Sequence, residues 1–284
     1  MKTQKTLMYL AAVIIYGTNG YFLHYINCSS EFVVMCRGLI GSIFILLMMF
    51  ISKNLPDLKS IKNNLLMLII SGASLGFNWL FLFAGYRYAV AITSLCNYTA
   101  PIIVVIISSL YLKEKLKTKQ IVCIGIAFIG IVLISGLFDG EISSDIHCFT
   151  YGFLAAIGFV ILVLCNKRIK DIKPLDKTVV QLFVSFLTVL PVVLTKHYIP
   201  ASLDTNSLII LIMMGVINTG VAYILYFNSI DTLPAHQIAI LGYVEPVLSI
   251  LIGTIIFKES MTFLGGIGAI LILGAALFNE VSFK

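Results

Sequence analysis

Residues 98–114 read YTAPIIVVIISSLYLKE, and residues 243–259 read YVEPVLSILIGTIIFKE. One shift of 145 positions brings Tyr98 onto Tyr243, Pro101 onto Pro246, Lys113 onto Lys258 and Glu114 onto Glu259. Each stretch sets a proline in the middle of an expected membrane helix, where it removes a helix hydrogen-bond donor, and ends on Lys-Glu. Near a shift of 144, Leu-Ala-Ala at 10–12 pairs with Leu-Ala-Ala at 154–156. Four different residue types coinciding at one offset point to a duplicated unit rather than to two apolar stretches that happen to look alike.

The solvent for this unit follows from composition. Of 284 residues, 60% are hydrophobic and 11% charged, with a mean hydropathy of +1.04. A soluble domain carries about 25% charged residues. The chain therefore reads as an all-α integral membrane protein with the lipid bilayer as its surroundings. The net charge of +6 is not a nucleic-acid signal, because the basic residues stand between apolar runs. Six cysteines form no CxxC pair and mostly lie in apolar runs, where they act as small hydrophobes. Asn27-Cys28-Ser29 matches a glycosylation sequon, a short pattern common by chance.

A span needs roughly 20 apolar residues, and about ten such runs are present: 7–26, 32–51, 65–86, 90–112, 120–138, 148–166, 178–195, 207–228, 237–257 and 262–280. The first follows Lys2 and Lys5 as a signal peptide would, but no small-residue cleavage site follows it, so it is kept as a span. With the N-terminus inside, fifteen lysines and arginines fall in inner segments, Lys177 among them. Three (Arg87, Lys196, Lys258) fall outside, and Arg37 lies within span 2. That bias places both termini in the cytoplasm; the plasma membrane is the expected location. Loop 139–147 agrees, with Asp139, Glu141 and Asp145 and no lysine or arginine; loop 229–236, which should be inside, carries no basic residue. Five spans per half is an odd number, so residues 1–140 and 141–284 enter the membrane from opposite sides as inverted repeats. Secondary transporters are built this way, with substrate near the midplane.

The duplicated proline helices, each ending in Lys-Glu, resemble the drug/metabolite transporter superfamily, and more closely its ten-helix EamA type. IYGTNGYF at 15–22 is similar to that family's aromatic-Gly-x-Asn signature in span 1, and Arg37 and Glu245-Pro246 fit as well. The resemblance implies a cavity lined by spans 1–4 and 6–9, spans 5 and 10 at the periphery, and alternating access, usually for efflux. Span 1 lacks the embedded acid of the four-helix multidrug-resistance relatives, so their proton/cation antiport is not carried over.

Glu245 is the outstanding candidate site residue. It lies about eight residues into span 9, ~12 Å deep, where a charge costs at least ~2.5–3.5 kcal/mol. It is a partner for a substrate ammonium or a titrating carboxylate, or it satisfies backbone groups freed by Pro246. Ala100 holds the matching place in span 4, so only one half carries the acid. Arg37 anchors a carboxylate or phosphate, or its stem reaches the interface, or it pairs with Glu31 or a carbonyl. Pro101 and Pro246 are hinges or passive kinks. Tyr98 and Tyr243, three residues earlier, stack on a ligand or pack on a helix. Asn19, Asn78, Asn97 and Asn218 bond between helices or line the cavity. Trp79 forms a cavity wall or packs against lipid or a helix. His24 and His236 read as interfacial, and Glu114 and Glu259 as structural span ends. Gly125, Gly130, Gly136, Gly265, Gly266, Gly268 and Gly274 are packing residues in spans 5 and 10, with a homodimer through those spans as one use.

No GxxxxGK[ST] or HExxH stretch occurs, no paired-histidine metal spacing, no filter sequence of an ion channel, and no convergent nucleophile and base at one depth. The expectation is a transporter, not an enzyme, with no cofactor, no metal and no nucleic-acid partner. One buried acid and one buried base suit a zwitterion, so amino-acid-like metabolites are favoured, moved by export. An organic-cation exporter needs Glu245 but not Arg37. A carrier of phosphate esters calls for more buried basic residues than this chain has.

Overall fold

The computed structural model describes residues 2–86, 88, 93, 96–111, 117–134, 146–230, 232–256 and 262–280. The expectations for Gly136, Glu114, Glu259 and most of loop 139–147 lie outside these residues, as do those for the side chains of His24 and Pro101. All regular structure among the described residues is helical. In order, the helices are α1 (Lys2–Gly17), α2 (Asn19–His24), α3 (Ser30–Ile51), α4 (Leu58–Asn63) and α5 (Leu65–Tyr86). Next come α6 (Ala100–Tyr111), α7 (Thr118–Ile134), α8 (Ile146–Arg168), α9 (Pro174–Thr195) and α10 (Thr205–Met213). A π-helical segment, Met214–Val221, leads into α11 (Ala222–Ile230), then α12 (Ala235–Gly242), α13 (Val244–Ile256) and α14 (Phe263–Glu280). Among the described residues, five stretches, Ser30–Ile51, Leu65–Gly85, Phe149–Arg168, Pro174–Thr195 and Thr205–Ile230, are long and apolar enough to cross a membrane, and shorter apolar helices accompany them.

Local sequence sets several ends. Ser29 caps α3 by accepting from the Phe32 amide at 3.3 Å, with Glu31 in the first turn to complement the helix dipole. Asp204 caps α10 through the Ser207 amide (3.0 Å) and hydroxyl (2.6 Å); these bonds hold its exposed carboxyl below the usual carboxylate range. Pro174 opens α9, where its fixed φ suits a first turn and no donor is lost. That proline corrects the sequence reading of Lys177. The lysine is not in a loop but inside the first turn of α9, only 1% exposed. Its Nζ donates to the Phe227 carbonyl at 3.4 Å and lies 5.7 Å over the Phe227 ring. Lys5 donates to the next carbonyl, Asn228, at 2.7 Å. Two lysines thus serve carbonyls in the last turn of α11 that a helix end leaves unpaired.

Among the described residues, the expected spans 1, 4 and 9 are interrupted, span 4 by the turn at Tyr98 and Thr99. Span 1 divides at Thr18, whose hydroxyl donates to the Ile15 carbonyl at 2.6 Å. Span 9 divides at Tyr243, so Pro246 stands in the first turn of α13; Pro101 likewise stands in the first turn of α6. The prolines are therefore not mid-helix, as the sequence suggested, but in first turns, where a helix tolerates them because the missing donor has no partner there.

Packing is close where side chains vanish. The main neighbours are α5 with α8 and α9, α3 with α9 and the π segment, α1 with α11, and α7 with α14. A Cβ added at Gly72 on α5 would lie 2.7 Å from Val184 Cβ and 2.8 Å from the Gln181 carbonyl on α9. On α7, a Cβ at Gly130 would lie 2.7 Å from the Gly268 carbonyl of α14, so this glycine serves contact within the chain. Gly125 and Gly274 meet nothing within 4 Å and face outward. Exposed apolar side chains such as Ile255 (72%) and Ile270 (71%) sit on faces that lipid, not water, covers.

Gly72→Ala should lower the thermal unfolding midpoint in detergent by an amount equivalent to about 1–3 kcal/mol, the usual cost of overpacking. Gly125→Ala, which meets open space, should leave the midpoint unchanged or slightly raised.

Candidate functional site

Residues from α1, α3, α5, the π segment, α11 and α13 converge on one buried cluster. Tyr9 and Tyr16 lie two turns apart on one face of α1, and Tyr223 and Tyr226 share a face of α11. Ring centroids stand 5.6 Å apart for Tyr9 and Tyr226, 5.2 Å for Tyr16 and Tyr223, and 6.0 Å for Tyr16 and Tyr226. Trp79 of α5 joins edge-on to Tyr223 at 5.6 Å. These spacings are those of favourable tilted and edge-to-face aromatic pairs. The Tyr9 hydroxyl donates to the Ile238 carbonyl at 2.9 Å, tying α1 to α12.

Arg37 enters this aromatic wall from α3. It is 3% exposed, its Nε donates to Thr219 Oγ1 at 3.0 Å, and its guanidinium carbon stands 4.8 Å over the Trp79 ring. The side chain does not reach the interface, and Glu31 is not its partner. Among the described residues it makes no other hydrogen bond and no ion pair, so its Nη edge is uncommitted. Magnitudes explain how the charge is kept. Burial costs at least ~2.5–3.5 kcal/mol. A hydrogen bond to a charged group returns ~1.5–3 kcal/mol, and a desolvated cation–π contact returns ~2 kcal/mol. Two contacts suffice, and the fork's outer nitrogens are left over.

Glu245 stands in the first turn of α13, where the helix dipole favours a negative charge. Protein surrounds its carboxyl group, although the residue as a whole is only partly buried. Arg37 is its opposite charge, and its field also reaches Tyr9, Tyr16, Tyr223 and Tyr226. Arg37 and Glu245 attract one another without touching. A surface holding an uncommitted guanidinium edge, a separate carboxylate and aromatic rings can take a small ligand with opposite charges at its two ends.

The expected site residues do not all meet. Glu245, Arg37 and Trp79 come together. Tyr98 and Tyr243 meet each other, with rings 6.4 Å apart at 72° and the Tyr243 hydroxyl donating to the Tyr98 carbonyl at 2.9 Å. Asn78 donates to Asn97 Oδ1 at 3.1 Å and to the Ala155 carbonyl at 2.8 Å, joining α5 to α8. Asn19 begins α2. His236 lies 2.9 Å from Gln120 Nε2, linking α12 to α7. The sequence reading missed Tyr9, Tyr16, Tyr223, Tyr226 and Thr219 as site residues. The signal was there: Tyr16 opens the quoted span 1 signature, and the tyrosines of α1 and α11 recur at helical spacing.

Comparison with known proteins decides the family. The EamA-like transporter family matches residues 5–136 and again residues 147–280. The chain belongs to the EamA-like transporter family. It is thus a multi-pass membrane protein of the drug/metabolite transporter superfamily, whose members are transporters and not enzymes. It is 26% identical over 257 residues to the uncharacterized transporter YxxF of Bacillus subtilis (strain 168), covering 89% of this chain and 82% of that one. It is 21% identical over 236 residues to protein PecM of Dickeya dadantii (strain 3937), covering 82% and 78%. A crystal structure of another protein shares the fold, with a TM-score of 0.85 and 14% identity over 99% of this chain and 98% of that chain.

The Tyr243→Phe variant of this EamA-family transporter should lose about 1 kcal/mol of stability, the worth of one neutral hydrogen bond. Its unfolding midpoint should fall while the KM of any transported substrate stays within twofold, about the scatter expected for a residue outside the charged cluster.

Proposed function

We propose that this chain exports small amino-acid-like metabolites across the plasma membrane by alternating access. The observation that carries this reading is the pair of separated charges. Arg37 offers an uncommitted Nη edge to a carboxylate, and Glu245, in the same buried cluster, offers a partner for an ammonium group. A free amino acid presents both groups at once, and a bidentate guanidinium suits a carboxylate better than any point charge does. On this reading the chain crosses the membrane ten times as two inverted halves, 1–140 and 141–284. The twofold family match supports that arrangement. So does the contact between Tyr98 and Tyr243, because residues equivalent in two repeats meet where a two-fold axis passes. The lysine bias favours cytoplasmic termini. Gly125 and Gly274, facing outward, suit a homodimer through α7 and α14.

A second reading is efflux of organic cations. The tyrosines within reach of Glu245 favour it, since aromatic faces and a carboxylate together attract a cation.

The test is exchange in liposomes, with labelled amino acids and a labelled organic cation run in parallel. Amino-acid counterflow is expected from the native chain. Arg37→Lys should raise KM for the amino acid about tenfold or more, because lysine cannot reproduce the fork. Glu245→Gln should abolish most exchange and Glu245→Ala all of it. Cation exchange that survives Arg37→Lys and needs Glu245 would select the second reading. No exchange of any compound in a broad metabolite panel would overturn both.

A further inference from the structure

The π-helical segment Met214–Val221 is the element that joins the two poles of the site, and no sequence motif announced it. Turns of this kind are rare and cluster at functional sites. This one has two consecutive buried polar residues, Asn218 and Thr219, facing two different helices. Asn218 Nδ2 donates to the Ile15 carbonyl at 2.9 Å and to Thr18 Oγ1 at 2.8 Å, which are the groups that break α1. Thr219 Oγ1 accepts from Arg37 Nε at 3.0 Å. Glycines press the segment onto α3: a Cβ at Gly215 would lie 2.5 Å from Ile40 Cβ, and one at Gly220 would lie 2.5 Å from the Phe44 ring. The α1 break is itself seated on α13. A Cβ at Gly17 would lie 2.8 Å from Leu248 Cβ and 3.3 Å from the Glu245 carbonyl oxygen. A continuous run of contacts therefore leads from the backbone of Glu245, through the α1 break and Asn218, to Thr219 and Arg37.

We propose that Thr219 and Asn218 are positioning residues that set which edge of Arg37 meets the substrate and how far that edge stands from Glu245. A guanidinium can grip a carboxylate side-on through Nε and one Nη, or end-on through both Nη atoms. Thr219 occupies Nε and Trp79 covers one face, so only the end-on grip is left. The end-on grip aims the carboxylate along the Arg37 axis. Selectivity for amino acids over decarboxylated relatives follows from that grip. This inference rests on the amino-acid reading above and adds the residues that tune it.

The experiment compares Thr219→Val, which keeps the shape and loses the acceptor, with Thr219→Ser, which keeps the hydroxyl. Each is purified, reconstituted and assayed for the KM and Vmax of a transported amino acid. The inhibition constant of its carboxamide, which retains the amine and lacks the anion, is measured alongside. Thr219→Val should raise the amino-acid KM about tenfold, the worth of one charge-assisted hydrogen bond, with Vmax within about twofold. The carboxamide constant should not move. Thr219→Ser should restore the native KM. Should Thr219→Val fail to reach the membrane folded, Thr219→Ala removes the same acceptor with less bulk. An unchanged amino-acid KM in the variant lacking the acceptor overturns the proposal. Equal weakening of amino acid and carboxamide also overturns it, by assigning Thr219 to packing alone. If the native chain moves no amino acid, the functional reading beneath fails, and this inference fails with it; a native chain that transports while the variants are indifferent sinks only the inference.

Discussion

Arg37 carries a charge that the protein interior cannot remove, because a guanidinium stays protonated at any physiological pH. A buried carboxylate or amine can escape its desolvation cost by changing protonation state; a buried arginine has no such exit. The surrounding structure must therefore answer the charge with contacts. Trp79 supplies a π face and Thr219 a hydroxyl oxygen. Each contact drags an element with it. Trp79 fixes the side of α5 that faces α3, and Thr219 requires a helix turn wide enough to present successive polar residues to different neighbours. The π segment, its glycines against Ile40 and Phe44, and the break in α1 held by Asn218 follow from that requirement.

Much of the fold was legible because hydropathy reports compatibility with lipid, and span length follows from bilayer thickness. The runs at 32–51, 65–86, 148–166 and 262–280 correspond closely to α3, α5, α8 and α14. The breaks were harder to read. At the break of span 1 the Thr18 hydroxyl bonds the Ile15 carbonyl, a local bond that threonine also makes in unbroken helices; at the break of span 9 the Tyr243 hydroxyl bonds the Tyr98 carbonyl, far away in sequence. Lys177 was misread because a lysine near the end of an apolar run looks interfacial. Only the position of α11, contributing the Phe227 carbonyl, shows that it is buried.

The site was half legible, for a reason particular to membranes. In water, a helix's buried stripe is apolar and its outer face polar, so periodicity shows which residues meet. Here the lipid face is as apolar as the core; Ile255 and Ile270 are exposed, while Ile45 and Ile272 are fully buried. Charged residues still stand out against that background, which is why Glu245 and Arg37 could be picked from sequence. Tyr9, Tyr16, Tyr223 and Tyr226 could not, because a tyrosine is equally at home at a membrane interface, against lipid, or in a polar cluster.

The separation of the two charges bears on how such a site would work. A direct Arg37–Glu245 ion pair would neutralise both poles, and any ligand would first have to break it in a medium where breaking a buried pair is expensive. Held apart, each group has its own surroundings: the guanidinium has Trp79 and Thr219, and the carboxyl group has the first turn of α13. The field between them then favours a dipole aligned with it over an isolated cation or anion, each of which gains attraction from one pole and repulsion from the other. On the proposed reading, selectivity is thus written into spacing rather than into any one contact. The duplicated sequence permits this only because it is broken at one place, where Ala100 stands opposite Glu245. A second acid there would add a like charge to the cluster and remove the single axis along which a zwitterion can lie.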